Sequence, residues 1–469
     1  MQLIILFLSA FLIRLVNLNQ SLWLDESIVA RVVKNIPFHL IPTQLSPGDV
    51  HPPLYYMLVS LWSSIFGYSE LSLRMPSVIF SLIAGWYIYK IGTTLKNKSL
   101  GFWATAFFLF NPLVIYYSQE ARMHMMATTL LSITLYYFVQ IQKNSQKIAT
   151  ATSWLRNDMF YFNLFSGLSM LVFYGSGFFI AGMIVVYGVL QLNKKGKMRD
   201  WIPAFAGMTQ VSIGLILSLL LLSPLLFLQL ANARAGLVDL KNWSMALGKA
   251  EIKNVAMIFL KFATGRLSWL PKWSYYLVAG IPTAIIWFIG ALGARKNKVL
   301  VYLFILPLLF GLFVSFWAPM MMYFRFLYLV PVMSILLALG IITHEKNTIR
   351  PSILLGVLII FSFVYLLIPQ FHREDWKSMT QELRTNIPVY MILPSSDPLT
   401  YYREDVAVRE LRTIQKSPIP EIIHVVPYTS EIYGLNYVRN LEMLGCVKES
   451  GASFRGDVVL ERWRCLRNA

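Results

Sequence analysis

Cysteine is almost missing from this 469-residue chain, which has two, Cys446 and Cys465. So few thiols rule out a disulfide-dense scaffold, and without a CxxC motif or paired histidines beside them they match no zinc motif. Charge is also scarce, at 14% of residues, and acid is scarcer than base: 23 Asp and Glu against 41 Lys and Arg. There is no Walker A loop, no GxGxxG after a strand, no HExxH and no Gly-Xaa-Ser-Xaa-Gly elbow. Their absence argues against direct use of a nucleotide, zincin chemistry and an α/β-hydrolase nucleophile. No internal repeat is evident either.

What the chain has in abundance is apolar length. Hydrophobic residues make up 57% of it and mean hydropathy is +0.58, more apolar surface than one soluble core can hide. A helix of about 17 to 25 apolar residues crosses a bilayer. Eleven segments approach that length: roughly 3–19, 75–92, 101–117, 124–142, 159–174, 176–192, 208–228, 275–293, 299–317, 326–342 and 351–368. The expected fold is an all-α polytopic membrane protein of about 11 transmembrane helices. No basic n-region or small-residue cleavage site precedes Asp25, so the first segment is expected to stay as an anchor.

Lysine and arginine orient these segments. Alternate connections carry Lys96 and Lys98; Lys143, Lys147 and Arg156; Lys194, Lys195, Lys197 and Arg199; Arg295, Lys296 and Lys298; and Lys346 and Arg350. With these on the cytoplasmic side, the N-terminus lies inside, and Asp25, Glu120, Arg325 and the C-terminal tail lie outside. The net charge of +18 then follows from topology and requires no nucleic-acid partner. Residues 53–67 are apolar but short for a span, so 19–74 is read as one external loop with interfacial helices anchored by Tyr55, Tyr56 and Trp62. The run Asp200–Thr209 resembles a translated intergenic repeat element of Gram-negative bacteria and is read as an insertion tolerated in a cytoplasmic loop.

After Pro369 the chain becomes polar. Apolar runs at 389–393 and 422–426 alternate with expected helices at 373–385 and 398–412, which suggests a small α/β domain outside the membrane. Both cysteines fall in it, either as a disulfide or as two buried thiols.

Three strings carry polar chemistry: Leu24-Asp25-Glu26-Ser27, His51-Pro52-Pro53-Leu54-Tyr55-Tyr56 and Tyr117-Ser118-Gln119-Glu120-Ala121-Arg122-Met123. All three emerge on the external face, so acidic clusters a hundred residues apart can share one site. In this order they resemble the polyprenyl-phosphate-sugar-dependent glycosyltransferases of the GT-C fold, the group that includes protein O-mannosyltransferases and the lipid A aminoarabinose transferase. The resemblance implies a GT-C catalytic domain over 1–368 and a periplasmic α/β domain over 369–469, in a bacterial inner membrane. It also implies a sugar moved from a polyprenyl (undecaprenyl) phosphate donor to a lipid, glycan or protein acceptor, and membrane lipids as surroundings.

In such an enzyme Asp25 is the general base, a task worth about 10²–10⁴-fold, with Glu26 beside it and Glu120 assisting or orienting the acceptor. Arg122, Arg325 and His51 are the expected ligands of the donor phosphate, His51 standing where the aminoarabinose transferases carry a lysine. Each has a plainer reading: a helix cap for Asp25, an ion pair for Glu120 and Arg122, a loop residue for His51, and a snorkelling side chain for Arg325. Arg74 reads as a topology anchor, and Arg373 as the exposed first turn of a helix. No cofactor is expected; two external carboxylates leave a divalent cation open, but no tight metal site is expected. The competing function is a transporter or flippase of lipid-linked sugars, which would place charges at the bilayer midplane and show repeated halves.

Overall fold

The computed structural model describes residues 1–45, 49–144, 152–194, 201–239, 242, 247–342, 348–416 and 418–465. The helical body runs through α1 (Gln2–Leu15), α2 (Leu24–Asn35), α3 (Ile41–Gln44), α4 (Leu54–Phe66), α5 (Glu70–Leu95), α6 (Lys98–Leu109), α7 (Pro112–Ser118) and α8 (His124–Asn144). It continues with α9 (Thr152–Met170), α10 (Ser176–Lys194), α11 (Trp201–Asp239), α12 (Ile252–Thr264), α13 (Lys272–Ala294), α14 (Lys298–Val314), α15 (Val330–Ile341) and α16 (Ile349–Leu367).

At the centre lies α8, whose residues from His124 to Leu135 are all buried. Its hydroxyls are satisfied within the helix: Thr128, Ser132 and Thr134 donate to the carbonyls of His124, Thr128 and Leu130 at 2.7–2.9 Å, so a polar helix can sit inside an apolar body. Where α5 and α6 cross, Gly92 meets Gly101 so closely that a Cβ on Gly92 would lie 2.6 Å from the Gly101 Cα. Small residues let these two helices touch backbone to backbone.

By length and composition, five described stretches can cross a bilayer: α5, 209–232 of α11, α13, 323–341 and α16; α6 and α7 together make a sixth. The remaining segments that the sequence suggests fall on shorter apolar helices such as α1 and α14 or on hydroxyl-rich ones such as α8. One segment needs correction. Residues 101–117 are not one straight helix, because α6 and α7 meet at a bend of 62°. Asn111 causes the break by capping α7: its Oδ1 accepts from the Leu113 and Val114 N–H groups at 2.9 and 3.3 Å, and Pro112 follows at N1, where its missing N–H costs nothing. The supposed loop insertion also differs, since residues from Trp201 onward form the first turns of α11.

Beyond α16 the chain forms α17 (Trp376–Gln381), β1 (Val389–Met391), α18 (Asp397–Tyr402), β2 (Val408–Glu410), β3 (Ile422–Val425), α19 (Tyr437–Met443), β4 (Cys446–Phe454) and β5 (Val458–Cys465). The strands make one sheet in the order β2-β1-β3-β5-β4, with β1 parallel to β2 and β3, and β5 antiparallel to β3 and β4. The expected strands at 389–393 and 422–426 are present. The expected helix 398–412 stops at Tyr402 and gives way to β2, whose Val408 pairs with Val389. Cys446 and Cys465 face each other across β4 and β5 and form a disulfide.

On β3, the imidazole of His424 is 6% exposed and neither ring nitrogen has a hydrogen-bond partner. Burial, and then the charge of Arg462, push its pKa below the usual range. A lowered histidine pKa leaves stability intact above the unfolded value of about 6.5 and removes it as pH falls below. Hydrogen exchange of β3, corrected for intrinsic rates, is therefore expected to lose protection as pH falls from about 7.5 to about 5. His424→Leu should flatten that dependence.

Candidate active site

Asp25 and Glu26 are neighbours in the first turn of α2, where carboxylates suit the positive end of the helix dipole. A helix turns about 100° per residue, so the two point to different surroundings. Glu26 is fully buried. Its Oε1 accepts from Arg74 Nε at 2.8 Å and from the Ala121 N–H at 2.7 Å, and its Oε2 accepts from Arg74 at 2.6 Å. Arg74, itself buried, also donates to the carbonyls of Leu18, Gln20 and Ser21. It is a structural clamp on the segment leading into α2, which corrects its reading as a topology anchor. Asp25, by contrast, keeps 34% of its side chain exposed, and its Oδ2 lies 3.2 Å from the Arg122 guanidinium.

The bend between α6 and α7 delivers the second cluster. After α7, residues 119–123 run irregularly, fixed by Gln119, which donates to the carbonyls of Arg14 and Val16 at 3.0 and 2.7 Å. Glu120 Oε1 accepts from Arg373 Nε at 2.7 Å, while its Oε2 is buried without a partner. Burial pushes the Glu120 pKa up, and Arg373 partly offsets this. Arg373 is largely buried, not on an exposed helical turn, and its guanidinium lies 3.6 Å above the Trp23 ring. Arg266, which no motif flags, donates to the Tyr116 hydroxyl. Arg122, Arg266 and Arg373 thus converge from three distant segments on the Asp25–Glu120 region.

His51 belongs to a further constellation. Its Nδ1 lies 2.7 Å from Asp49 Oδ1, and the Tyr56 hydroxyl donates to Asp49 Oδ2 at 2.5 Å. Burial pushes the Asp49 pKa up, but His51, Tyr56 and Arg122 outweigh it and bring it down to about 2. The His51 carbonyl is held by Gln229 at 3.1 Å, and Gln229 in turn by Tyr174 at 2.8 Å. Arg325 stands apart, donating to the carbonyls of Leu247 and Pro319 at 3.1 and 2.7 Å, yet close enough to feel the charge of Asp25. Among the described residues, no group of three His, Cys, Asp or Glu is placed to hold a metal ion.

Residues 50–231 match the family described as dolichyl-phosphate-mannose-protein mannosyltransferase. The crystal structure of ArnT from Cupriavidus metallidurans in the apo state superposes with a TM-score of 0.55 over 98% of this chain and 97% of that one, at 13% identity. The chain has the GT-C fold. The same ArnT bound to undecaprenyl phosphate gives a TM-score of 0.54 with the same coverage and identity. No curated protein sequence matches the chain.

In this GT-C chain the sheet-bearing part is built into the site. Ser21 Oγ accepts the N–H groups of Trp376 and Lys377 at 3.0 and 3.2 Å, and the Leu22 N–H donates to the Tyr402 hydroxyl at 2.9 Å. Arg31 pairs with Asp397 at 2.8 Å. Together with Arg373, these contacts hold both ends of the α2 segment that carries Asp25. The candidate site therefore joins an accessible carboxylate, a guanidinium cluster and an aromatic wall of Trp23, Tyr116 and Tyr117. Such a set can accept a proton beside Asp25 while neutralising an anion on the arginines.

Proposed function

We propose that the protein transfers a sugar from polyprenyl phosphate to an acceptor on the periplasmic side of a bacterial inner membrane, with Asp25 as general base. The observation that carries this reading is the pair formed by Asp25, partly exposed, and Arg122, largely buried, 3.2 Å apart. Asp25 takes the proton of an acceptor hydroxyl or amine as that atom attacks the anomeric carbon, and the bond from that carbon to the phosphate oxygen breaks. One displacement inverts the configuration. Arg266 contacts a phenol and Arg325 contacts carbonyls, so each brings a half-buried positive charge that the departing phosphate can neutralise.

Undecaprenyl phosphate bound to a structure of the same fold supports a lipid-phosphate donor. The basic connections and the Cys446–Cys465 disulfide support a site outside the cytoplasm. Residues 1–368 would then be the catalytic body and 369–469 the periplasmic domain that braces it. Glu26 serves this site by positioning α2, and Glu120 by holding Arg373. His51, oriented by Asp49, would add a donor to the phosphate oxygens.

Mass spectrometry of membrane lipids tests the reading. Cells lacking the protein should accumulate a polyprenyl-phosphate sugar that falls again on complementation; an unchanged lipid profile would remove the proposal. A second measurement addresses His51. Asp49→Asn removes the charge that orients the imidazole, and loss of one charge-assisted hydrogen bond should weaken undecaprenyl phosphate binding about tenfold.

A further inference from the structure

We propose that Glu374 and Tyr428 form the acceptor wall of the site and that the acceptor presents carbohydrate hydroxyl groups to them. This rests on the transferase reading above.

Beyond the Asp25–Arg122 and Glu120–Arg373 pairs, the two sides of the Asp25 region differ in charge. The helical body brings Arg122, Arg266 and Arg325. The chain beyond α16 brings, next to Arg373, the carboxylate of Glu374 and the phenol of Tyr428. A phosphate is drawn to the first side and repelled by Glu374, so Glu374 suits the partner that carries no phosphate. Its Oε1 accepts from the Tyr428 hydroxyl at 3.2 Å, whereas its Oε2 is enclosed and has no hydrogen-bond partner. An enclosed carboxylate oxygen without a donor is costly unless something supplies one. A sugar hydroxyl does so without adding charge.

Tyr428 is close enough to Asp25 to feel its charge, and its ring packs edge-on against Trp376 at 4.8 Å. The loop carrying it is held in place rather than free. Thr429 has a φ of +65°, a left-handed conformation disfavoured for a β-branched residue, and its Oγ1 lies 2.7 Å from Ser395 Oγ. Two residues on, the Glu431 carbonyl accepts from Asn242 of the helical body at 2.8 Å. A side chain presented on such a backbone is positioned for use, since unfavourable conformations persist where the surroundings fix them.

The experiment uses the full-length protein, the donor lipid extracted from cells lacking it, and envelope glycans from those cells as acceptor. Glu374→Gln and Tyr428→Phe should bind undecaprenyl phosphate as wild type does, which also reports that they fold. Their KM for the glycan should rise at least about tenfold while the rate at saturating glycan stays near wild type. An unchanged KM overturns the proposal, and so does weakened undecaprenyl phosphate binding, which would put the pair on the donor side. Transfer to the protein or lipid fraction in place of the glycan overturns the acceptor class. If the deletion cells hold no excess donor lipid, the transferase reading itself fails and this one with it.

Discussion

Asp25→Asn is expected to fold and to bind undecaprenyl phosphate, yet to transfer sugar at least about 10²-fold more slowly than wild type. The expectation follows from how lightly the fold uses this side chain. Asp25 is about one-third exposed, and its carboxylate meets Arg122 at 3.2 Å near the rim of the site. Asparagine keeps its size, and Arg122 retains the Asp25 carbonyl at 3.4 Å and the nearby charge of Asp49. What disappears is the ability to take a proton at that point. Transfer assayed with the accumulated donor lipid, alongside thermal unfolding in detergent, separates the two effects. Near-wild-type transfer by a properly folded Asp25→Asn protein would sink Asp25 as the base.

Which parts of this site can be read from the sequence depends on whether chemistry and chain proximity coincide. Asp25, Glu120 and Arg122 stand in short polar strings at the ends of apolar segments, so their types and order are visible. Arg266 lies alone between apolar runs and carries no local signal; only the packing of α12 against α7 brings it to Tyr116. Arg373 looks like the start of an exposed helix because it opens the string Arg373-Glu374-Asp375-Trp376-Lys377, but α17 begins at Trp376 and leaves Arg373 to turn inward. Asp49 is hidden differently, since its role appears only when His51 and Tyr56 close around it. The break at Asn111-Pro112 does have a sequence signal, a capping residue followed by proline at N1, but continuous hydrophobicity on both sides masks it. The hairpin of β4 and β5 is obscure for the opposite reason: Lys448, Glu449, Arg462 and Arg464 interrupt any apolar alternation, and the exposed edge of β4 tolerates such charge.

Glu26→Gln should behave in the opposite way to Asp25→Asn, although the two residues are adjacent. Glu26 and Arg74 have side chains 0% and 1% exposed, linked by two hydrogen bonds, and removing one partner from such a pair costs about 3–5 kcal/mol because the other is left charged and buried. The loss should appear as a lowered unfolding temperature and as loss of undecaprenyl phosphate binding, since Arg74 also ties down Leu18, Gln20 and Ser21 ahead of α2. Arg74→Met should be at least as harmful, leaving the carboxylate with only the Ala121 N–H at 2.7 Å. Replacing both partners with apolar residues of similar volume removes the stranded charge, so Glu26→Leu combined with Arg74→Met should recover part of the stability lost by either single change. Transfer should recover with it only as far as the three carbonyls formerly held by Arg74 keep α2 in place. A Glu26→Gln protein that unfolds at the wild-type temperature but no longer transfers sugar would mean that Glu26 acts in the chemistry and that its burial is incidental.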